Sequence, residues 1–454
     1  MTDAQNERER RAHEPGEEAL RLGAFYRGKM QTLPKCPVRG LADLAIWYTP
    51  GVAAQSRAIH ADPALVYELT NKANHVAIVS DATRVLGLGD IGPLAGLPVM
   101  EGKALLFKLL GGVDATALCL ATKDPAELAR AVELLAPSFG GVNLEDIAQP
   151  KCFDVLARLR GALDIPVWHD DQEGTATVVL AALRGALEIV GKRLGALKIA
   201  LIGCGAANTA SVRLLVSAGA DPRGMVVCDR RGALHAKRGD EAELRARFPN
   251  KWRMCQETNA EGVTGGIREA LRGADVCIAF SAPGPGVIAP EWVKAMARDA
   301  VVFACANPTP EIWPWKAREA GARVVATGRS DFPNQLNNSL AFPGMFRGAL
   351  DVRARSISEG MTLAAADALA ALAREQGLRE DAMLPLATEP ETAVRVAVAV
   401  GRAACKEGFA RAPLSEDALE LAARRAIAGA REQLDSLVRE GLIARPPPRG
   451  ANLP

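Results

Sequence analysis

The 454-residue chain has almost no excess of charge: 55 Lys and Arg stand against 53 Asp and Glu, a formal net charge of +2. Without a basic surplus there is nothing to neutralise a phosphate backbone, which excludes a general nucleic-acid binder but not a local cluster of charge. Long apolar runs are missing too. No stretch approaches the ~18 consecutive apolar residues that a membrane helix needs. The polar, mixed-charge start MTDAQNERERRAHEPGEE lacks the apolar core of a signal peptide. Nine cysteines (36, 119, 152, 204, 228, 255, 277, 305 and 405) form no C-x-x-C pair. Neither a zinc site nor a disulfide framework is therefore indicated, and the pattern fits a reducing cytosol. With 49% hydrophobic and 24% charged residues the chain has ample material for large cores. A soluble, cytoplasmic, multidomain protein is expected, and length alone suggests roughly three folding units.

What is present divides the chain more finely. Residues 1–18 carry dense charge of both signs and read as a flexible lead-in. Short apolar runs then alternate with helical patterns: Val76–Ser80, Ala104–Phe107, Ala117–Leu120 and Ile165–Trp168 as strands, Pro125–Leu135 as a helix capped by Asp124, and a long helix from about Glu173 to Gly191. From about 195 to 330 the rhythm is strand, helix, strand, with strands at Lys198–Ile202, Met225–Cys228, Val276–Phe280, Val301–Ala304 and Arg323–Ala326. That alternation predicts an α/β protein with a doubly wound parallel sheet of Rossmann type. Alanine-rich helical segments such as Thr362–Arg374 and Glu416–Val438 follow Phe342, and the tail 441–454 is broken by prolines. Length notwithstanding, two domains emerge: an N-terminal α/β domain over 19–165 and a dinucleotide domain over 166–345. The helices of 346–440 are expected to return to the first domain.

Two glycine fingerprints compete. Gly87-Leu88-Gly89-Asp90-Ile91-Gly92 has the G-x-G-x-x-G spacing, but Pro93 follows and no amphipathic helix is expected behind it. A dinucleotide turn needs a helix N-terminus facing the pyrophosphate, so this copy reads as a structural or active-site loop. Gly203, Gly205, Ala206, Ala207 and Asn208 make the better site, because they follow the strand KIALI and open a helix. The first glycine permits a tight turn and the second lets the backbone approach the phosphates. Asn208 replaces the usual third glycine or alanine. Asp229, ending the next strand, can hold a ribose 2′-hydroxyl and so favours NAD, whereas Arg230 and Arg231 suit the 2′-phosphate of NADP.

Several polar residues have types and surroundings suited to chemistry. Glu145, Asp146 and Asp171 offer the oxygen ligands that Mg²⁺ or Mn²⁺ prefers; taken singly, the first two also suit the start of a helix and Asp171 an N-cap. Lys103 lies between apolar runs, where desolvation lowers an ammonium pKa towards that of a useful base. Pairing with Glu101 in solvent is the ordinary alternative. Tyr48, one of three tyrosines, has a phenol able to donate a proton. Asn337 and Asn338 lie in a loop where they either contact a carboxylate substrate or close turns.

Taken together these segments resemble the malic enzyme family in its short bacterial form. The matching strings run in order: YTPGVA (48–53), VLGLGDIGPLAGLPVMEGKALLFK (85–108), VNLEDIAQPKCF (142–153), HDDQEGTA (169–176), the glycine turn at 203, NPTPEI (307–312) and GRSDFPNQLNNSLAFPGMFRGALD (328–351). The resemblance implies oxidative decarboxylation of L-malate to pyruvate and CO₂, with NAD or NADP reduced and Mg²⁺ or Mn²⁺ required. It assigns Lys103 as general base, Tyr48 as general acid, and Glu145, Asp146 and Asp171 as metal carboxylates with Asp170 beside them. Arg84, Asn307 and Asn338 fall on the substrate side, with Asn337 adjacent, and the same reading lists Asn307 with the cofactor residues. A homodimer or higher homo-oligomer is implied, and the phosphotransacetylase-like extension of the long forms is not. Trp47 replaces a smaller residue before the tyrosine. A malolactic enzyme, releasing lactate without net cofactor reduction, is the nearest rival on this scaffold. A non-catalytic nucleotide-binding regulator is the rival from another class.

Overall fold

In the computed structural model, which describes residues 3–448, the apolar runs sort into two sheets. The first contains β1 (His75–Ser80), β2 (Asp114–Cys119), β3 (Gly141–Leu144) and β4 (Val167–His169), all parallel in the order β2-β1-β3-β4. The second contains β5 (Ile199–Ile202), β6 (Met225–Asp229), β7 (Gly232–Ala233), β8 (Val276–Ala279), β9 (Val301–Ala304) and β10 (Val324–Thr327). Their order is β10-β9-β8-β5-β6-β7, parallel except for the short β6–β7 pair. Every residue of β5, β8, β9 and β10 is buried. That is why these strands read as continuous apolar runs rather than alternating ones: helices cover both faces. The α/β class with a doubly wound sheet holds.

The helices that position the site are α1 (Asp3–Tyr26), α2 (Leu41–Trp47), α3 (Pro93–Gly111), α4 (Pro125–Leu135), α5 (Lys151–Ala162), α6 (Thr175–Val190) and α7 (Ala206–Ser217). The C-terminal set is α8 (Phe342–Asp351), α9 (Glu359–Glu375), α10 (Pro390–Lys406) and α11 (Glu416–Arg439). Asp124 caps α4, its side chain accepting from the N–H groups of Ala126 and Glu127 at 2.6 and 3.1 Å. Among the described residues no helix is long and apolar enough to cross a membrane.

Three expectations change. Ala104–Phe107 is not a strand but the middle of α3; a short apolar run has no period to tell a buried helix from a strand. This helix is apolar on several sides because it is wedged between the first sheet and the C-terminal helices. Its start at Pro93 also means that a helix does follow the first glycine fingerprint, proline being well suited to a first helical turn. What separates that loop from a dinucleotide turn is the insertion of 81–92 between β1 and the helix, and the seat of Gly87, where an added Cβ would lie 2.3 Å from the Asn307 carbonyl. Finally, the expected lead-in of 1–18 is helical from Asp3 onward. Glu, Arg and Ala are good helix formers, and the far end of α1 is held by Arg21 and Tyr26, which donate to the carbonyls of Pro447 and Ala444 at 3.0 and 2.9 Å. Residues 449–454 of the proline-rich tail lie outside the described residues, and the first sheet runs past 165 to His169.

The core that joins the parts centres on α3. The Phe107 ring lies 4.6 Å from Phe342 and 5.2 Å from Phe346, both on α8. Helices α8 and α10 cross closely where α8 presents Gly344 and Gly348. A Cβ added at Gly348 would lie 2.2 Å from the Ala397 carbonyl oxygen. Gly348→Ala is therefore expected to lower stability by about 1–3 kcal/mol through overpacking. Gly429→Ala, on α11 with nothing within 4 Å of its added Cβ, should instead raise it by about 0.5–1 kcal/mol. Urea denaturation of the two variants checks both signs.

Candidate active site

Adjacent parallel strands deliver their carboxyl ends to one side of a sheet, where ligands sit in open α/β folds. Here β3 is followed directly by Glu145 and Asp146, and neighbouring β4 by Asp170 and Asp171 in an irregular turn, Asp170–Gly174, that leads into α6. Lys103 reaches them from α3. Its Nζ lies 2.6 Å from Asp170 Oδ2, 3.0 Å from Glu145 Oε1 and 3.5 Å from Asn338 Oδ1, with the Phe342 ring centroid 4.5 Å away. Lys103, Glu145, Asp146 and Asp170 are buried. Each acid is aimed by a neighbour. Asn143 donates to Glu145 at 2.8 Å, Trp168 Nε1 to Asp170 Oδ1 at 3.1 Å, and the Asp146 N–H to Asp171 Oδ2 at 2.8 Å. The Asp146 backbone itself has φ of +55°, in the left-handed region that aspartate tolerates better than most residues.

The electrostatics of the cluster reverse the expectation for Lys103. Burial alone would lower its pKa, but Asp170, Glu145 and Asp171 outweigh that and hold the ammonium well above its ordinary value. Desolvation acts the other way on the acids: burial, then the charge of Asp171, pushes Asp146 up to about 8. Glu145 is raised too, by burial first, against the pull of Lys103. One ammonium does not balance this many carboxylates. Glu145, Asp146 and Asp171 each present an oxygen within 4.8 Å of the others, and Asp146 Oδ2 is buried without a hydrogen-bond partner. An unpartnered carboxylate oxygen in a convergent all-oxygen set fits a hard divalent cation.

The remaining predicted residues are placed unequally. The Arg84 N–H donates to the Asp146 carbonyl at 3.0 Å, and its guanidinium charge acts on Asp146 and Asp171. Asn307 meets the loop 81–92 through its carbonyl, which Gly87 abuts, while its side-chain amide lies beside Gly328. Asn338 is at Lys103, whereas the Asn337 side chain turns back to accept from the Ser339 N–H at 2.9 Å. Tyr48 stands apart: it ends α2 at 71% exposure. It shares its surroundings with exposed Leu41, Leu44, Ile46 and Trp47, the last donating to the Pro37 carbonyl. Asp170, treated from sequence only as a neighbour, is the residue closest to Lys103. Its signal was the doubled aspartate directly after a strand, at the carboxyl end of the sheet. Glu311 was also missed: buried, it accepts from the N–H groups of Ser281 and Ala306 at 2.7 and 3.0 Å and so ties together the loops after β8 and β9.

The dinucleotide turn follows β5 in the second sheet. Gly203 has φ of +97° and would clash through any Cβ with the Phe280 carbonyl at 2.3 Å, whereas Gly205 has nothing within 4 Å. That open space, at the N-terminus of α7 where Ala206 and Ala207 begin the helix, is the approach a pyrophosphate requires. Asn208 is buried in place of a third glycine and donates to the carbonyls of Ile202 and Gly203 at 3.1 and 2.8 Å. The side chain thus braces the turn that a smaller residue would merely permit. Asp229 lies at the end of β6 but is already engaged: Arg238, Lys251 and the Arg231 N–H approach it at 3.1, 3.3 and 2.9 Å. Arg231 reaches Asp240 and Glu243, both at 3.0 Å, and Arg230 is exposed.

A nucleotide-type sheet set against a second parallel sheet bearing a lysine and convergent acids defines a dinucleotide-binding, two-domain protein with a cation-ready centre. Sequence comparison narrows this. Residues 27–129 match the malic enzyme N-terminal domain and residues 172–405 the malic enzyme NAD-binding domain. The chain is 51% identical to an NAD-dependent malic enzyme of Geobacillus stearothermophilus, over 85% of this chain and 78% of that protein. It is 48% identical to a bifunctional malic/malolactic enzyme of Bacillus subtilis, over 87% and 94% respectively. The crystal structure of Entamoeba histolytica malic enzyme superposes with a TM-score of 0.95 at 43% identity, covering 98% of this chain and 93% of that one. The chain belongs to the malic enzyme family.

Removing the Asn208 brace leaves buried carbonyls without donors. Asn208→Ala is expected to cost about 1–3 kcal/mol, read as a lower midpoint of thermal unfolding, with Asn208→Asp no better because a carboxylate cannot donate.

Proposed function

We propose that this chain oxidises L-malate with NAD⁺ or NADP⁺, giving pyruvate, CO₂ and NADH or NADPH. The observation that carries this reading is the contact of Lys103 with Asp170 and Glu145, at 2.6 and 3.0 Å, beside the convergent carboxylates. Glu145, Asp146 and Asp171 would hold a divalent cation, which when bound polarises, as a Lewis acid, the carbonyl oxygen formed at C2. Gly203, Gly205 and the N-terminus of α7 would hold the dinucleotide, which when bound would accept the C2 hydride. Lys103 takes the proton of the C2 hydroxyl. It would do so as the free amine, a form that a divalent cation held by Glu145, Asp146 and Asp171 would favour over the ammonium those carboxylates stabilise here. Asn307, Asn338 and Arg84 orient the substrate, the asparagines by hydrogen bonding and the arginine towards a carboxylate. After CO₂ leaves, Tyr48 returns a proton to C3.

Tyr48 is the one assigned group on an open surface, and its neighbours Leu41, Leu44, Ile46 and Trp47 are exposed. A homodimer or higher homo-oligomer that covers this apolar face is part of the proposal, since such patches favour burial. A cytoplasmic location accords with nine cysteines that are all free thiols. The malolactic outcome is the second reading, supported by the bifunctional name of the Bacillus subtilis relative.

Malate, Mn²⁺ and either cofactor should yield reduced nicotinamide absorbance in step with pyruvate; lactate without reduced cofactor would select the second reading instead. Lys103→Ala and Tyr48→Phe should each lower kcat by about 10²–10⁴-fold, and wild-type turnover in either variant removes its assigned role. By calorimetric titration, Asp171→Asn should weaken Mn²⁺ binding by at least about tenfold, an outcome independent of turnover.

A further inference from the structure

Glu173 lies in the same irregular turn as Asp170 and Asp171, yet nothing in the proposed chemistry uses it. Its side chain is only 4% exposed. Arg160 of α5 grips it in a two-pronged contact, at 2.8 Å to Oε1 and 2.6 Å to Oε2, and also donates to the Val167 carbonyl of β4 at 3.1 and 3.0 Å. A second guanidinium arrives from the other domain: Arg213 of α7 reaches Oε1 at 3.2 Å. Arg213 in turn pairs with Glu359 at the start of α9 at 3.4 Å, and Ser217 of α7 donates to the same Glu359. The turn is held from α6 as well, by Thr177 Oγ1 donating to the Glu173 carbonyl at 2.6 Å.

Burying a carboxylate between two arginines is a poor route to stability, because desolvation consumes much of the Coulombic gain and an apolar side chain of similar size would often serve as well. What the arrangement does supply is direction. Glu173 is covalently two residues from Asp171, and Arg213 is on the helix whose first turn carries the open approach above Gly205. One carboxylate thus links the acid cluster to the dinucleotide helix across the domain boundary. Building on the malate-oxidising function proposed above, we propose that Glu173 is a positioning residue. Through Arg213 it fixes the acid-bearing turn against α7 and so sets the distance over which hydride passes from malate C2 to the nicotinamide. Hydride transfer is the step most sensitive to such placement, since a misfit of about 1 Å can cost on the order of a hundredfold in rate. Loss of CO₂ from oxaloacetate moves no hydride and draws on the acid cluster and on Tyr48, which returns the proton to C3, so it does not depend on the distance to the nicotinamide.

The test compares two reactions in Glu173→Gln and Arg213→Ala. The second variant removes a half-exposed side chain and leaves the Arg160 contact intact, so it stays informative if the first fails to fold. Malate oxidation, followed with malate deuterated at C2, should fall by about tenfold to a hundredfold with a larger isotope effect than wild type. Mn²⁺-dependent decarboxylation of oxaloacetate should stay within about twofold, and Arg213→Lys should recover part of the oxidation rate. A parallel fall of both reactions, or an unchanged isotope effect, overturns the positioning role and leaves Glu173 a structural residue. Wild-type protein inert towards malate would instead overturn the function proposed above, and this inference with it.

Discussion

The interaction on which the first domain depends is the contact of the Lys103 ammonium with Asp170 and Glu145. Each charge withdrawn from water costs on the order of several kcal/mol, so the cluster persists only because its members neutralise one another and are aimed by groups that cannot move freely. Trp168 is fully buried beneath Asp170, Asn143 sits within β3, and the Asp146 N–H is spent on Asp171. Even so the balance is incomplete, as the raised pKa of Asp146 and its unpartnered oxygen record. The same excess of negative charge that makes the cluster cation-ready also favours the protonated lysine, so the proposed base and the proposed cation site are one electrostatic unit rather than two.

The second domain is organised by closeness rather than by charge. Gly203 lets the turn pass against the Phe280 carbonyl, Gly87 lets the loop of the first domain reach Asn307, and Glu311 ties the loops that follow β8 and β9. Of these contacts, that of Gly87 sets the loop after β1 against the loop after β9, so loops from the carboxyl ends of the two sheets meet there. The cofactor side and the acid side are thereby held by different physics, backbone approach on one and mutual neutralisation on the other.

Much of this was legible in the sequence, and the reasons differ by region. The five parallel strands of the second sheet could be read almost residue by residue because each is a short apolar run between turn residues, whereas the two-residue antiparallel β7 was too short to leave such a run. Lys103, Glu145, Asp146 and Asp171 could be singled out because charged residues beside apolar runs are conspicuous, and the ordered family strings then gave them roles. Alpha-helix α3 was obscured because burial on several sides erases the period that would have distinguished it from a strand. The direction of the Lys103 shift was hidden for a different reason. It depends on Asp170 and Glu145, tens of residues away in the chain, and local sequence carries only the desolvation half of that balance. Likewise Arg238 and Lys251 hold Asp229 through tertiary contacts that no spacing rule anticipates.

The seat of α3 has a consequence for how the chain reaches its native state. The face of the helix bearing Phe107 is completed by Phe342 and Phe346, and Gly112 at its end lies against the backbone of Ala426. The first sheet and its lysine-bearing helix therefore cannot finish their core until residues from the far side of the dinucleotide domain have been made and folded back. Synthesis from the N-terminus leaves an apolar flank waiting through more than half the chain, a long-range closure of the kind that slows folding and exposes sticky surface in the interim. The two regions that read as separate modules along the sequence are, as folding units, one.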